Sequence, residues 1–173
     1  MYVFSDDSHR EVEIHRYPLL VYVLVPLIAL VLQAWLPRVV GAHIWFDFPL
    51  LITIYFAMAR RSPIQGTIMG LVMGLLEDAL SHRAIGINGI AKTIVGFLAA
   101  SVGVRIDVEN PTIRVILSFL LSLLSSSIYV FIFRILLGLT LEWSWFNELF
   151  RAIGNALIVF VLFHLLDRLK IRD

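Results

Sequence analysis

Five ionisable residues stand within or at the edge of long apolar segments of this sequence. They are the acids Asp47, Glu77 and Asp78 and the bases Lys92 and Arg134. Charges in such segments are costly, and they either line a ligand or ion site or form ion pairs between helices. Both interpretations stay open, but three acids and two bases nearly neutralise one another. That balance weakens the case for a proton or cation relay.

The composition places these charges in a membrane protein. Of the 173 residues, 60% are hydrophobic and only 16% are charged, so there is more apolar surface than a soluble core of this size buries. The net charge of +1 provides no basic surface for nucleic acid. Because the chain has no cysteine, disulfides, thiolate catalysis and cysteine-based metal sites are excluded.

Six apolar segments are near the length that a bilayer crossing needs, roughly 17 to 25 residues. We therefore predict an all-α integral membrane protein, a compact bundle of six transmembrane helices over 18–167. Short cytoplasmic tails, 1–17 and 168–173, flank it. The predicted helices are 18–36, 44–59, 64–80, 85–104, 113–141 and 149–166.

Basic residues outside the predicted helix interiors indicate the orientation. Nine lie at the side of the two termini: Arg10, Arg16, Arg60, Arg61, Arg105, Arg114, Arg168, Lys170 and Arg172. Three lie at the other side: Arg38, Arg83 and Arg151. The positive-inside rule then predicts that both termini are cytoplasmic. Indole rings favour the headgroup level, and the four tryptophans all fall at the outer helix ends: Trp35, Trp45, Trp143 and Trp145.

A row of glycines runs along the predicted third helix. Gly66, Gly70 and Gly74 precede Asp78 at four-residue spacing, so all four residues share one stripe of the helix. A stripe without side chains lets another helix approach closely. Small residues recur on the next two helices at Gly89, Gly96 and Gly103 and at Ser118, Ser122 and Ser126. We expect most of these faces to pack inside the bundle, with contact to a partner protein as the alternative.

The sequence contains no recognisable catalytic motif. Its five histidines are scattered, and there is no HExxH, no GxSxG and no phosphate-binding loop. The serines Ser125, Ser126 and Ser127 have no evident base near them in sequence, and we expect them to hydrogen-bond to a helix. We therefore predict a non-enzymatic protein that needs no cofactor or metal.

One region of the chain resembles the bacterial rod shape-determining protein MreD family. The family pattern G-x-x-x-G-x-x-x-D-x-x-S followed by G is matched by Gly70, Gly74, Asp78, Ser81 and Gly86. His82 departs from it, since family members often have a small residue there. Leu32-Gln33 and Asp47-Phe-Pro49-Leu-Leu also fit, so the resemblance covers about 32–103, and the last two helices match only in hydropathy.

The resemblance implies a scaffold of the cell-elongation machinery in the bacterial inner membrane. Its expected direct partner is MreC, bound through transmembrane or juxtamembrane contacts. Indirect partners would be MreB, RodA and a class B penicillin-binding protein of lateral peptidoglycan synthesis, and a homo-oligomer is also open.

The family is also similar in fold to the substrate-binding subunits of energy-coupling-factor transporters. This similarity supports an alternative function as a vitamin-type solute-binding subunit. In that case Glu77, Asp78, Lys92 and Arg134 would hold the solute. Against it, the alanine-rich AxxxA stretch expected of those subunits is not clear in this sequence.

Overall fold

The computed structural model describes residues 17–40, 46–81, 84–106, 108, 110–136, 138 and 144–168. Within these ranges the chain is all-helical, as the sequence predicts. The helices are α1 (Leu19–Val40), α2 (Phe48–Arg60), α3 (Pro63–Leu80), α4 (Ile87–Arg105), α5 (Pro111–Phe131), a π-helical continuation of α5 (Ile132–Leu136) and α6 (Trp145–Asp167). Most of both predicted tails, and also Trp45, His82, Arg83 and Trp143, lie outside the described residues.

Capping residues explain where several helices begin. Asp47 caps α2 by accepting a hydrogen bond from the Leu50 amide, so this helix starts after the predicted residue 44. Asn110 caps α5 by accepting a hydrogen bond from the Thr112 amide. The helix therefore begins at Pro111, two residues before the predicted start at 113. Proline stands in the first turn of α2, α3 and α5, where its missing N–H costs nothing.

Among the described residues, four helices are long and apolar enough to cross a membrane. They lie over Leu19–Leu36, Ile87–Arg105, Pro111–Ile135 and Trp145–Asp167. The apolar helix α2 has only 13 residues, about 20 Å at 1.5 Å per residue, and α3 is not among the four. The chain is therefore a helical membrane protein, and the crossing of all six helices stays a prediction.

The short helix α2 lies at the centre of the bundle. Every residue from Pro49 to Ala59 is buried, and none of them is charged. Thr53 satisfies its hydroxyl by donating to the Pro49 carbonyl one turn earlier. A helix buried on all sides needs neighbours all round, and α2 contacts α1, α3, α4, α5 and α6. The long helices around it instead expose many large apolar side chains, as lipid-facing surfaces do.

The glycine row of α3 packs against α4, and these two helices form the most extensive pair in the bundle. A Cβ atom added at Gly66, Gly70 or Gly74 would collide with a backbone carbonyl oxygen of α4. Those carbonyls belong to Gly96, Lys92 and Asn88 respectively. The helix backbones touch here, so no side chain fits between them and the register of α3 against α4 is fixed.

Other small residues of the predicted faces also lie inside the bundle. Gly103 packs against Met58 of α2, where an added Cβ would lie 3.2 Å from the Met58 Cα. Ser118 and Ser122 are buried on α5, which packs against α4 and α6. These positions therefore contact neighbouring helices of the same chain.

Candidate functional site

A lysine without solvent exposure forms the centre of the candidate site. Lys92 lies in α4, with 0% side-chain exposure, and its Nζ lies 2.8 Å from Asp47 Oδ2 and 2.7 Å from Glu77 Oε2. The side chains of the two acids are 14% and 7% exposed. A buried charge is tolerated only with close partners of opposite sign. The Lys92 cluster, as we call these three residues, thus joins α4 to α3 and to the start of α2.

Neutral polar side chains hold the Asp47 segment from two further directions. The Asp47 amide donates to Asn155 Oδ1 of α6 over 2.9 Å, and Asn155 Nδ2 donates to Ser122 Oγ of α5. From α1, Gln33 Nε2 donates to the Phe46 carbonyl at 3.2 Å, and Gln33 Oε1 accepts from the Phe48 amide at 3.1 Å. All six helices are therefore connected at this end of the bundle, which we call the Lys92 end.

Asp78 accepts hydrogen bonds from residues at the start of α4. Its carboxylate accepts hydrogen bonds from the amides of Gly86 (2.8 Å) and Asn88 (3.1 Å) and from the Asn88 side chain (2.8 Å). Carboxylates stabilise helix N-termini by this contact, because the first amides have no partner within the helix. Gly86 permits the geometry, since its φ of +106° is a conformation that glycine adopts readily. Asp78 thus ties the end of α3 to the start of α4.

Arg134 lies near the end of the predicted fifth helix, 113–141. Its exposed side chain projects from the π-helical turn after α5. Ser81 follows α3 directly, where its amide donates to the Glu77 carbonyl.

A polar pocket opens beside the Lys92 cluster. Its volume is about 280 Å³. Asp47 and Glu77 line it together with Gln33 and Arg38 of α1 and Arg151 of α6. Four hydroxyl-bearing residues of α5 complete the lining: Ser122, Ser125, Ser126 and Tyr129.

The pocket contains residues that the sequence reasoning missed. From the sequence, Arg38 and Arg151 indicate only the orientation of the chain, and the structure places them within α1 and α6. One signal was available for Arg151, because Asn155 follows it by four residues and shares its helix face. An asparagine in an otherwise apolar segment marks the face that meets other polar groups.

A second polar network lies at the opposite end of the bundle, and the sequence reasoning also missed it. Tyr17 and Tyr55 share a hydrogen bond between their hydroxyls at 2.6 Å, and Tyr55 donates to Asp167 at 2.8 Å. Arg114 pairs with Asp167 and donates to the Val108 carbonyl. Burial raises the pKa of Tyr17, which precedes α1, to about 12. We call these side chains the Asp167 network.

These arrangements can hold helices together and accommodate a small polar molecule. Among the described residues, no group of three or more histidine, aspartate and glutamate side chains is arranged to hold a metal ion. The described serines at the pocket have no histidine among the residues that line it with them. The side chains that line the pocket can form ion pairs and hydrogen bonds.

Comparison with known proteins gives one match. The family model of rod shape-determining protein MreD matches residues 14–169, which is nearly the whole chain and includes the last two helices. The searches of curated proteins and of solved structures found no match.

Proposed function

The chain belongs to the MreD family, and from its role in rod shape determination we propose that it is a non-enzymatic scaffold of cell elongation. In this proposal it binds MreC directly in the inner membrane. Through MreC it acts with MreB, RodA and a class B penicillin-binding protein in lateral peptidoglycan synthesis. The observation that supports this proposal is that ion pairs and hydrogen bonds connect the helices at both ends of the bundle, while many large apolar side chains are exposed on its outer surface.

The packing changes where a partner helix would bind. An expectation from the sequence is that outward-facing parts of the small-residue faces grip MreC. Gly66, Gly70, Gly74 and Gly96 are instead occupied by the contact between α3 and α4. A partner's transmembrane helix would therefore pack on the apolar outer faces of the bundle, where shape complementarity between helices drives association.

Co-purification tests the proposal. Full-length chain with an affinity tag, extracted from membranes at normal expression, should retain MreC. A matched MreC variant, in which an unrelated transmembrane helix replaces its own, should be lost from the complex. Absence of MreC from the purified complex at normal expression would contradict direct binding, whatever the effect of depletion on cell shape.

We further propose that all six helices cross the membrane with both termini in the cytoplasm. The lack of cysteine permits a clean test by single introduced cysteines. Ser62→Cys, between α2 and α3, should react with an impermeant thiol reagent only after the cells are opened. Ser81→Cys, after α3, should react in cells whose outer barrier alone is permeabilised. Equal reactivity of the two variants would contradict a crossing by α3.

We do not extend the proposal to vitamin transport. Of the ligand set that the sequence suggested, Asp78 is engaged by the start of α4, and Lys92 is enclosed by its two carboxylates. Similarity in fold to transporter subunits stays a prediction. Stabilisation of the purified chain by a member of a vitamin panel would reopen that function.

A further inference from the structure

The pocket at the Lys92 end has a balanced arrangement of charge. Its lining holds two carboxylates, Asp47 and Glu77, and two guanidinium groups, Arg38 and Arg151. One ammonium, that of Lys92, lies behind the two carboxylates. Glu148 lies 3.6 Å from Arg151 on the same helix. Counted together, these six charges of the described residues cancel.

The opposite charges enter the pocket from different helices. The two carboxylates come from the start of α2 and from α3, where they share the Lys92 ammonium. The guanidinium groups come from α1 and α6. A pocket lined by groups of both signs suits a ligand that has an ammonium at one end and an anionic group at the other.

The wall formed by α5 adds uncharged hydrogen-bonding groups. Ser126 lines the pocket, whereas its neighbour Ser127 is exposed and donates to the Leu123 carbonyl of its own helix. Hydroxyl groups donate and accept, so they can bind either end of a ligand with mixed charge. The two adjacent serines also provide a matched pair for mutation.

Depth and size restrict the ligand further. Trp35 of α1 and Trp145 at the start of α6 are exposed at this end of the bundle, as expected for side chains at headgroup level. Trp35 lies close in α1 to the pocket residues Gln33 and Arg38. The volume of about 280 Å³ is slightly below the roughly 300–1,000 Å³ of typical ligand pockets, so the occupant is small.

We propose that this pocket binds a small zwitterion, with its ammonium towards Asp47 and Glu77 and its anionic group towards Arg38 and Arg151. Two sources share that chemistry: a phosphoethanolamine headgroup of a phospholipid, and a free solute such as phosphoethanolamine. Binding would make the Lys92 end more stable, because a ligand that binds only the folded state stabilises it by mass action.

Thermal unfolding of the full-length chain in detergent free of phosphatidylethanolamine is the first experiment. Soluble phosphoethanolamine should raise the midpoint of unfolding, while ethanolamine alone and inorganic phosphate alone should require concentrations about tenfold higher. A second arm compares bilayer discs of phosphatidylethanolamine with discs of phosphatidylglycerol. Stabilisation by the soluble compound identifies a site for free zwitterions, and stabilisation by the lipid alone identifies a headgroup site.

Variants connect the effect to the pocket. Arg38→Gln should weaken binding of the effective zwitterion about tenfold, while Arg105→Gln, an exposed arginine at the other end of the bundle, should leave it unchanged. Ser126→Ala should weaken binding and Ser127→Ala should not. Failure of both phosphoethanolamine and phosphatidylethanolamine to stabilise the wild type would overturn the proposal. So would equal binding by Arg38→Gln, or equal stabilisation by phosphate alone.

Discussion

The two ends of this bundle both carry charged side chains, but the charges are enclosed to different degrees. In the Lys92 cluster the ammonium has no exposure, and its carboxylates are 7% and 14% exposed. In the Asp167 network, Arg114 is 12% exposed and Asp167 is 28% exposed. Solvent at the second end screens the pair and can hydrate either group alone. The same type of contact should therefore contribute differently to stability at the two ends.

The ends also differ in which helices their polar groups join. At the Lys92 end, ion pairs and amide contacts connect the start of α2 to α1, α4 and α6, and α3 to α4. At the other end, Arg114 and Asp167 join the start of α5 to the end of α6, with Tyr55 as a bridge to α2. The pocket beside the Lys92 cluster lies at the more enclosed end.

The largest effect should come from removing the enclosed ammonium. Lys92→Met leaves two carboxylates close together without their partner, and we expect a loss of about 3–5 kcal/mol in the free energy of unfolding. Chemical unfolding of the purified chain in detergent measures this loss. A triple variant, Asp47→Asn, Glu77→Gln and Lys92→Met, removes all three charges and should recover part of it. A Lys92→Met chain as stable as wild type would show that the cluster contributes nothing to stability.

The helix caps provide a second comparison of the ends. Asp78→Ala leaves several amides at the start of α4 without their acceptor in a buried position, so we expect a loss of about 1.5–3 kcal/mol. The control is Asn110→Ala, which removes the exposed cap of α5 at the opposite end and should cost about 1 kcal/mol or less. Both losses are measured by the same unfolding assay. Equal losses would mean that burial does not strengthen the Asp78 contact.

The sequence was sufficient for the helical architecture and for part of the site. Long apolar segments predict helices in a membrane, because a helix satisfies its own backbone hydrogen bonds where no water is available. The spacing of Gly66, Gly70 and Gly74 also predicts a close helix contact. The partner of that contact could not be deduced from spacing, since a glycine stripe fits any neighbour with an accessible backbone.

The roles of individual charges were harder to predict from the sequence. Glu77 and Asp78 are adjacent, and on a helix adjacent residues point about 100° apart, so one faces Lys92 and the other faces the start of α4. The packing of the helices determines that Glu77 faces Lys92 and that Asp78 faces the start of α4. Arg114 and Asp167 are 53 residues apart in sequence and meet only because α5 and α6 are antiparallel neighbours. Arg38 and Arg151 likewise reach one pocket from α1 and α6.

At the more exposed end, a smaller effect is expected. Asp167→Asn removes the charge that faces Arg114. The guanidinium group keeps its hydrogen bond to the Val108 carbonyl, and it has access to water. We expect a loss of about 1 kcal/mol, near the upper range for exposed ion pairs. High salt should reduce the difference between variant and wild type at this end, and it should leave the effect of Lys92→Met nearly unchanged. A loss that matches Lys92→Met would remove the contrast between the two ends.

A last effect, confined to alkaline pH, concerns Tyr17. Its hydroxyl is hydrogen-bonded to Tyr55, and burial raises its pKa from 10.0 to about 12. The folded chain therefore favours the neutral phenol, so this stabilisation is fully present below pH 10 and is lost as the pH rises to about 12. Unfolding of wild type and Tyr17→Phe should be compared from pH 8 to pH 12. Their difference should be constant up to about pH 10 and shrink above it, because phenylalanine has no proton to lose. A difference that stays constant to pH 12 would mean that Tyr17 ionises as readily in the folded chain as in the unfolded one, and so that solvent reaches the Asp167 network freely.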